Sequence, residues 1–155
     1  LHPESIFRDN FDTFVMPWKR FAGGGERVTW LYLTRHGQTE WNVENRFQGW
    51  SDSPLTEKGI RQAKDLAKRL RGISFDAIYS SPAGRALQTA EILRDGREIE
   101  IREHPDLREM GLGDWEGMRS EEIEARFPAD FARFWTVFAA SGVKPTPMSK
   151  SGRFR

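Results

Sequence analysis

Residues Arg35-His36-Gly37 place a cation, an imidazole and a position without a side chain immediately behind an apolar run. An imidazole in such a place packs, caps or acts as a nucleophile, and its ordinary pKa near ~6.5 leaves it mostly neutral at pH 7. Gly37 lets the backbone turn close to a ligand, and Thr39, Asn42 and Gln48 add hydrogen-bonding groups just downstream. A second cation, Arg85, falls in or just past the first turn of a predicted helix that has no carboxylate until Glu91. An arginine there faces the positive end of the helix dipole, which disfavours it on stability grounds alone. It either points away into water or joins the helix terminus in binding an anion. Three carboxylates, Glu109, Asp114 and Glu116, cluster within the segment from Leu107 to Gly117.

The elements that must position these groups are legible as alternating strands and helices. Val28 to Thr34 is a run of seven β-branched, aromatic and leucine residues, which predicts a strand buried on both faces in the middle of a parallel sheet. Ligands of open α/β sheets bind just past the carboxyl end of such a strand, where Arg35 and His36 stand. Trp50 to Pro54 reads as a loop. Thr56 then caps a helix from Glu57 to about Leu70, stopped by Gly72, with Ile60, Ala63, Leu66, Ala67 and Leu70 on its inner face. Phe75 to Ser80 predicts a second strand, Ser81-Pro82 the start of a helix to about Leu93, and Glu98 to Glu103 a third, weaker strand. Residues 119–140 read as two helices divided at Phe127-Pro128. The second carries Phe131, Phe134, Trp135 and Phe138 on one face, as core or as a lid.

The ends differ in character from this domain at 28–140. In residues 1–27, Phe7, Phe11, Phe14, Trp18 and Phe21 recur at helical spacing, and Pro17 would end that helix near Val15 or Met16. Two readings stay open: a short helix packed on the domain, or a natural start at Met16 with non-native residues before it. Residues 141–155 form an irregular basic tail without periodicity.

Composition narrows the function. A net charge of +1 supplies no global field for nucleic acid or an anionic membrane. No apolar run has the length to span a bilayer. The absence of cysteine excludes disulfides and thiolate chemistry and fits a cytoplasmic location. Three histidines in 155 residues, His2, His36 and His104, make no zinc-type cluster, and no Walker or GxGxxG loop is present.

The stretch Arg35-His36-Gly37-Gln38-Thr39-Glu40-Trp41-Asn42 resembles the signature of the histidine phosphatase (phosphoglycerate mutase-like) superfamily, R-H-G followed by T/S and W-N. Ser80-Ser81-Pro82-Ala83-Gly84-Arg85 through Thr89-Ala90 matches the superfamily's S-S-P-x-x-R-x-x-x-T-A pattern. Leu107-Arg108-Glu109 resembles its L-x-E acid segment, and Gly113 to Gly117 has the G-x-W-E-G ending of the phosphatase branch. The resemblance implies a three-layer αβα sandwich around a mostly parallel sheet. It implies hydrolysis of small phosphomonoesters through a phosphohistidine on His36, with Glu109 as acid and then base, while Asp114 and Glu116 are structural. Phosphate would be held by Arg35, Gly37, Thr39, Asn42, Gln48 and Arg85. The partner implied is a small phosphorylated metabolite, with neither metal nor organic cofactor.

The superfamily pattern continues with a strand ending in a second histidine, whereas no histidine follows His104 here and no strand-like run follows residue 103. The expected α/β fold is therefore incomplete at its C-terminal side. Two further functions stay in view: a phosphoglycerate mutase, and a truncated, catalytically impaired member that binds anions without turnover.

Overall fold

The computed structural model describes residues 13–22 and 25–140. The expectations for residues 1–12 and 141–155 lie outside the described residues.

The first pair of strands overturns one expectation. Residues Thr13–Ala22 (β1) form a strand and not the end of a helix, and they pair antiparallel with Gly25–Thr34 (β2) in a register running from Thr13↔Thr34 to Ala22↔Gly25. Phe14, Trp18 and Phe21 of that stripe are good strand residues, as are Thr13 and Val15, and the ladder outweighs the helical spacing of the aromatics. Pro17 sits opposite Trp30 on a strand with a single described neighbour, an edge position where a missing amide is tolerated. The run Val28 to Thr34 is thus not buried on both faces in a parallel sheet: Val28, Trp30 and Leu33 are exposed. Its only described strand neighbour is β1, and Trp30 to Thr34 border an open cleft instead of a second strand.

Beyond this hairpin the α/β class holds. The short helix Glu40–Val43 (α1) is closed by a capping box between Thr39 and Asn42. The helix Glu57–Arg69 (α2) starts where Thr56 accepts from the Gly59 amide, and it buries Ala63, Leu66 and Ala67. Strand Ile78–Ser80 (β3) leads into helix Gly84–Arg94 (α3), two residues later than Ser81 as cap would place it, and α2 packs against α3. Strand Ile101–Glu103 (β4) runs parallel to β3, as expected for a βαβ unit. Helices Ser120–Arg126 (α4) and Pro128–Ala140 (α5) divide at Phe127, the residue held out of helical geometry by the following proline. Along the α5 stripe, half-buried Phe131 and Phe134 meet Trp115 edge-on at 6.0 and 5.5 Å, and Trp115 lies 6.3 Å from Phe47. None of the described helices is long and apolar enough to cross a membrane.

Candidate active site

A cleft of about 830 Å3 opens between the β2 and β3 strands, lined at its polar end by Arg35, His36, Ser81, Arg85, Thr89 and Glu109. It gathers both arginines, the nucleophile candidate and the acid candidate from separate segments of the chain.

His36 is fixed by the turn that comes after β2. Its Nδ1 lies 2.8 Å from the Gly37 carbonyl, and a carbonyl only accepts, so Nδ1 carries the proton and Nε2 keeps its lone pair. Burial is the largest influence on its titration, and Arg35 and Arg85 add to it; together they lower the pKa from about 6.5 to about 4 against the opposing pull of the Gly37 hydrogen bond and Asp52. The imidazole is therefore neutral at pH 7.

The loop carrying it is clamped from two sides. The Gly37 amide donates to Thr89 Oγ1 at 3.1 Å, and Thr89 Oγ1 donates to the Arg85 carbonyl one turn back on α3 at 2.7 Å. On the other side, the Gln38 amide donates to Gln62 and the Gln38 carbonyl accepts from the Thr56 amide. Contact is so close that a Cβ on Gly37 would lie 2.6 Å from the Gly59 carbonyl oxygen, and one on Gly59 would overlap the Gln38 backbone. Gly37 is thus required by the approach of α2, where the sequence suggested the approach of a ligand.

Arg85 does not point into water. It is 5% exposed; Nη1 donates to the Ser51 carbonyl at 2.7 Å and to Asp52 Oδ1 at 3.0 Å, and Nη2 donates to the Gly49 carbonyl at 2.9 Å. Asp52 Oδ1 also accepts from the Arg85 backbone amide, so this carboxylate both pairs the guanidinium and caps the helix start. The buried Nε has no partner among the described residues. In the sequence Asp52 is only a loop residue; its signal there is an acid available to a helix N-terminus that lacks its own cap.

The remaining expected residues divide. Glu109 lines the cleft; one carboxylate oxygen accepts from the Met110 amide at 2.9 Å, and its backbone carbonyl accepts from the Trp50 indole at 2.8 Å. Thr39, Asn42 and Gln48 do not line the cleft. Thr39 is fully buried and accepts from the Asn42 amide and from Gln48 Nε2, while Asn42 Oδ1 accepts from the Thr39 amide. Their described bonds hold the loop together. Glu116 is more than a bystander: its carboxylate accepts from the amides of Trp50, Ser51 and Leu112 and from the Ser51 hydroxyl. The Ser51 hydroxyl is the largest of the influences that hold its pKa down to about 2.

The sequence model of the histidine phosphatase superfamily (branch 1) matches residues 31–147 of this chain. The chain belongs to the histidine phosphatase superfamily. Among the relatives, the probable phosphoglycerate mutase GpmB of Proteus mirabilis is 48% identical over 83 residues, covering 54% of this chain and 39% of the relative. Phosphoserine phosphatase 1 of Hydrogenobacter thermophilus is 39% identical over 104 residues, covering 67% of this chain and 49% of the relative. Among solved structures, YhfR of Bacillus stearothermophilus superposes with a TM-score of 0.65 at 52% identity, over 73% of this chain and 55% of that one. The chain thus spans about half or less of the length of the curated relatives it matches.

Proposed function

We propose that the site hydrolyses small phosphomonoesters through a phosphohistidine on His36. The observation that carries this reading is the protonated Nδ1 of His36, held by the Gly37 carbonyl, in a ring kept neutral beside two guanidiniums. Nε2 is left to attack phosphorus, while Arg35 and Arg85 draw the dianion toward it. In the first step the Nε2–P bond forms and the P–O bond to the alcohol breaks, with the Glu109 carboxyl giving its proton to the departing oxygen. In the second, water attacks phosphorus, the Glu109 carboxylate takes the water's proton, and the N–P electron pair returns to Nε2.

Incubation with p-nitrophenyl phosphate, followed by trapping of an acid-labile, base-stable phosphoenzyme, tests the reading. Label that persists in His36→Ala would sink it. The identity to a probable phosphoglycerate mutase supports a second reading, transfer between two positions of a phosphoglycerate. The Gly113 to Gly117 segment, with its phosphatase-type G-x-W-E-G ending, favours hydrolysis. Release of inorganic phosphate from a phosphoglycerate, against isomerisation of it, separates the two.

A further inference from the structure

Both charged partners of the proposed reaction are anchored on one short loop, Gly49 to Asp52. Arg85 donates to the carbonyls of Gly49 and Ser51 and to the Asp52 carboxylate. On its other side, Trp50 reaches out through its indole to the Glu109 carbonyl, and Gly111 lies close against the same ring, where a Cβ would be 3.2 Å from it. Trp50 itself is 64% exposed, with the Arg108 guanidinium over its ring. Beside the Arg85 bonds, the anchor of the loop backbone is the Glu116 carboxylate. It accepts from the Trp50 amide at 2.9 Å, the Ser51 amide at 2.8 Å, the Ser51 hydroxyl at 2.5 Å and, across the gap, the Leu112 amide at 3.0 Å. Gly49 turns with φ +56°, and a Cβ there would overlap Glu116 Oε1, so the backbone is shaped around this carboxylate. Only an ionised carboxylate has acceptor sites for four donors converging on it.

We propose that Glu116 is a positioning residue that sets Arg85 and Glu109 relative to each other through the loop from Gly49 to Asp52. The proposal rests on the phosphatase reading above. Glu116 touches neither phosphate nor His36; it acts by holding the carbonyls that aim the Arg85 guanidinium and the indole that tethers the Glu109 backbone. Glutamine cannot replace it, because its amide group would face donors with another donor.

The test is titration of the 155-residue chain with orthovanadate by calorimetry, at low temperature, alongside a 1H–15N spectrum of the Trp50 indole. Glu116→Gln is expected to bind about tenfold more weakly, the loss of roughly one charge-assisted contact, and to shift the Trp50 indole resonance. Asp114→Asn, an exposed carboxylate two residues away, is expected to change neither. The double variant R85A/E116Q is expected to lose less affinity than the two single losses combined, because Glu116 acts in part through Arg85. Additive losses, an unmoved indole resonance, or wild-type affinity in Glu116→Gln overturn the proposal. Should Glu116→Gln fail to fold, Ser51→Ala removes one donor from the same carboxylate and is expected to weaken binding about two- to threefold; unchanged binding then decides against it. Absence of any vanadate binding by the unsubstituted chain overturns the phosphatase reading and this proposal together, whereas binding that these substitutions leave intact overturns the proposal alone.

Discussion

One oxygen of Asp52 accepts from the guanidinium of Arg85 at 3.0 Å and from the backbone amide of the same residue at 3.2 Å. This single carboxylate explains how an arginine comes to lie at the start of a helix. It supplies the negative charge that the N-terminus of α3 lacks in its own first turn, and it makes burial of a cation tolerable. Asp52→Ala would leave the Arg85 backbone amide without its partner and Nη1 with the Ser51 carbonyl alone. The expected loss is about 1–3 kcal/mol of stability, the cost of an unsatisfied buried group, reduced by the partial exposure of Asp52 itself. Urea denaturation compared with Asp52→Asn measures it. Equal stability in all three proteins would mean that water replaces the carboxylate freely.

The His36 ring should titrate well below the usual imidazole range, with a midpoint near 4. Its folded pKa lies below the unfolded value of about 6.5. Its contribution to stability is therefore complete above pH ~6.5 and is lost as the pH falls toward 4. A 13C or 15N titration of the imidazole, assigned by His36→Ala, reads the midpoint directly. A midpoint above 6 would show that the ring is not buried among cations. For catalysis, the acid limb of kcat/KM belonging to the free imidazole is expected below pH ~5.

Gly59 is expected to be as intolerant as any residue lining the cleft, although it touches no substrate. Gly59→Ala would drive a methyl group into the Gln38 backbone, with the Gln38 amide nitrogen only 2.8 Å from the added carbon. Overpacking of this kind typically costs ~1–3 kcal/mol. Here the backbone that must shift also carries His36. Both thermal stability and orthovanadate affinity are expected to fall in this variant. A stable Gly59→Ala protein with unchanged affinity would show that α2 can retreat without moving the loop.

The parts of this molecule legible in its sequence are those set by local pattern. The α2 helix, its Thr56 cap, the break at Phe127 and the βαβ unit through β3 and β4 follow from periodicity and capping residues alone. His36, Arg35, Arg85 and Glu109 can be found because motif spacing survives without knowledge of the fold, and the structure brings them to one cleft. The partner of β2 is not legible. An apolar run of β-branched residues looks the same in a buried parallel strand and in a hairpin bordering an open cleft, and only pairing distinguishes them. Asp52, Gly59 and Glu116 escape or are undervalued for a related reason. Each acts on residues more than 20 positions away in sequence, and no local pattern records such a contact.

Arg85 should carry a large share of anion affinity even though its Nη atoms are already anchored. The anchoring fixes the plane of the guanidinium, so an arriving phosphate loses little ordering entropy, and the buried Nε remains a donor without a partner among the described residues. Arg85→Ala is expected to weaken binding of inorganic phosphate or vanadate by ~2–3 kcal/mol, as for a charge-assisted contact. Arg85→Lys should recover little, because a compact ammonium lacks the planar fork whose separate nitrogens reach the Gly49 and Ser51 carbonyls. Calorimetric affinity unchanged in Arg85→Ala would remove this residue from the pocket.

The cleft bears on the stability of the whole chain. Among the described residues β2 pairs with β1 alone and β3 with β4 alone, so each lacks a neighbouring strand along one edge, and about 830 Å3 of space lies between them. Trp30 and Leu33, which line this space from the hairpin's second strand, are about half exposed at 48% and 49%. Apolar surface left open to water forgoes ~25 cal/mol for each Å2 that a packed strand would bury, and a domain has only ~5–15 kcal/mol of stability in total. The 155 residues alone are therefore expected to be marginally stable, prone to aggregation and nearly inactive. A chimaera that continues the chain with the corresponding C-terminal part of a relative, strand and second histidine included, is expected to fill the cleft, raise the melting temperature and restore turnover. Removing one charge-stabilising group from such a site costs ~10²–10³ in rate. Replacing only the added histidine in the chimaera should thus lower the rate by that factor while leaving the melting temperature high. A cooperative transition in the ~45–65 °C range of ordinary domains, together with normal turnover by the 155 residues alone, would show that the open edges need no partner strand.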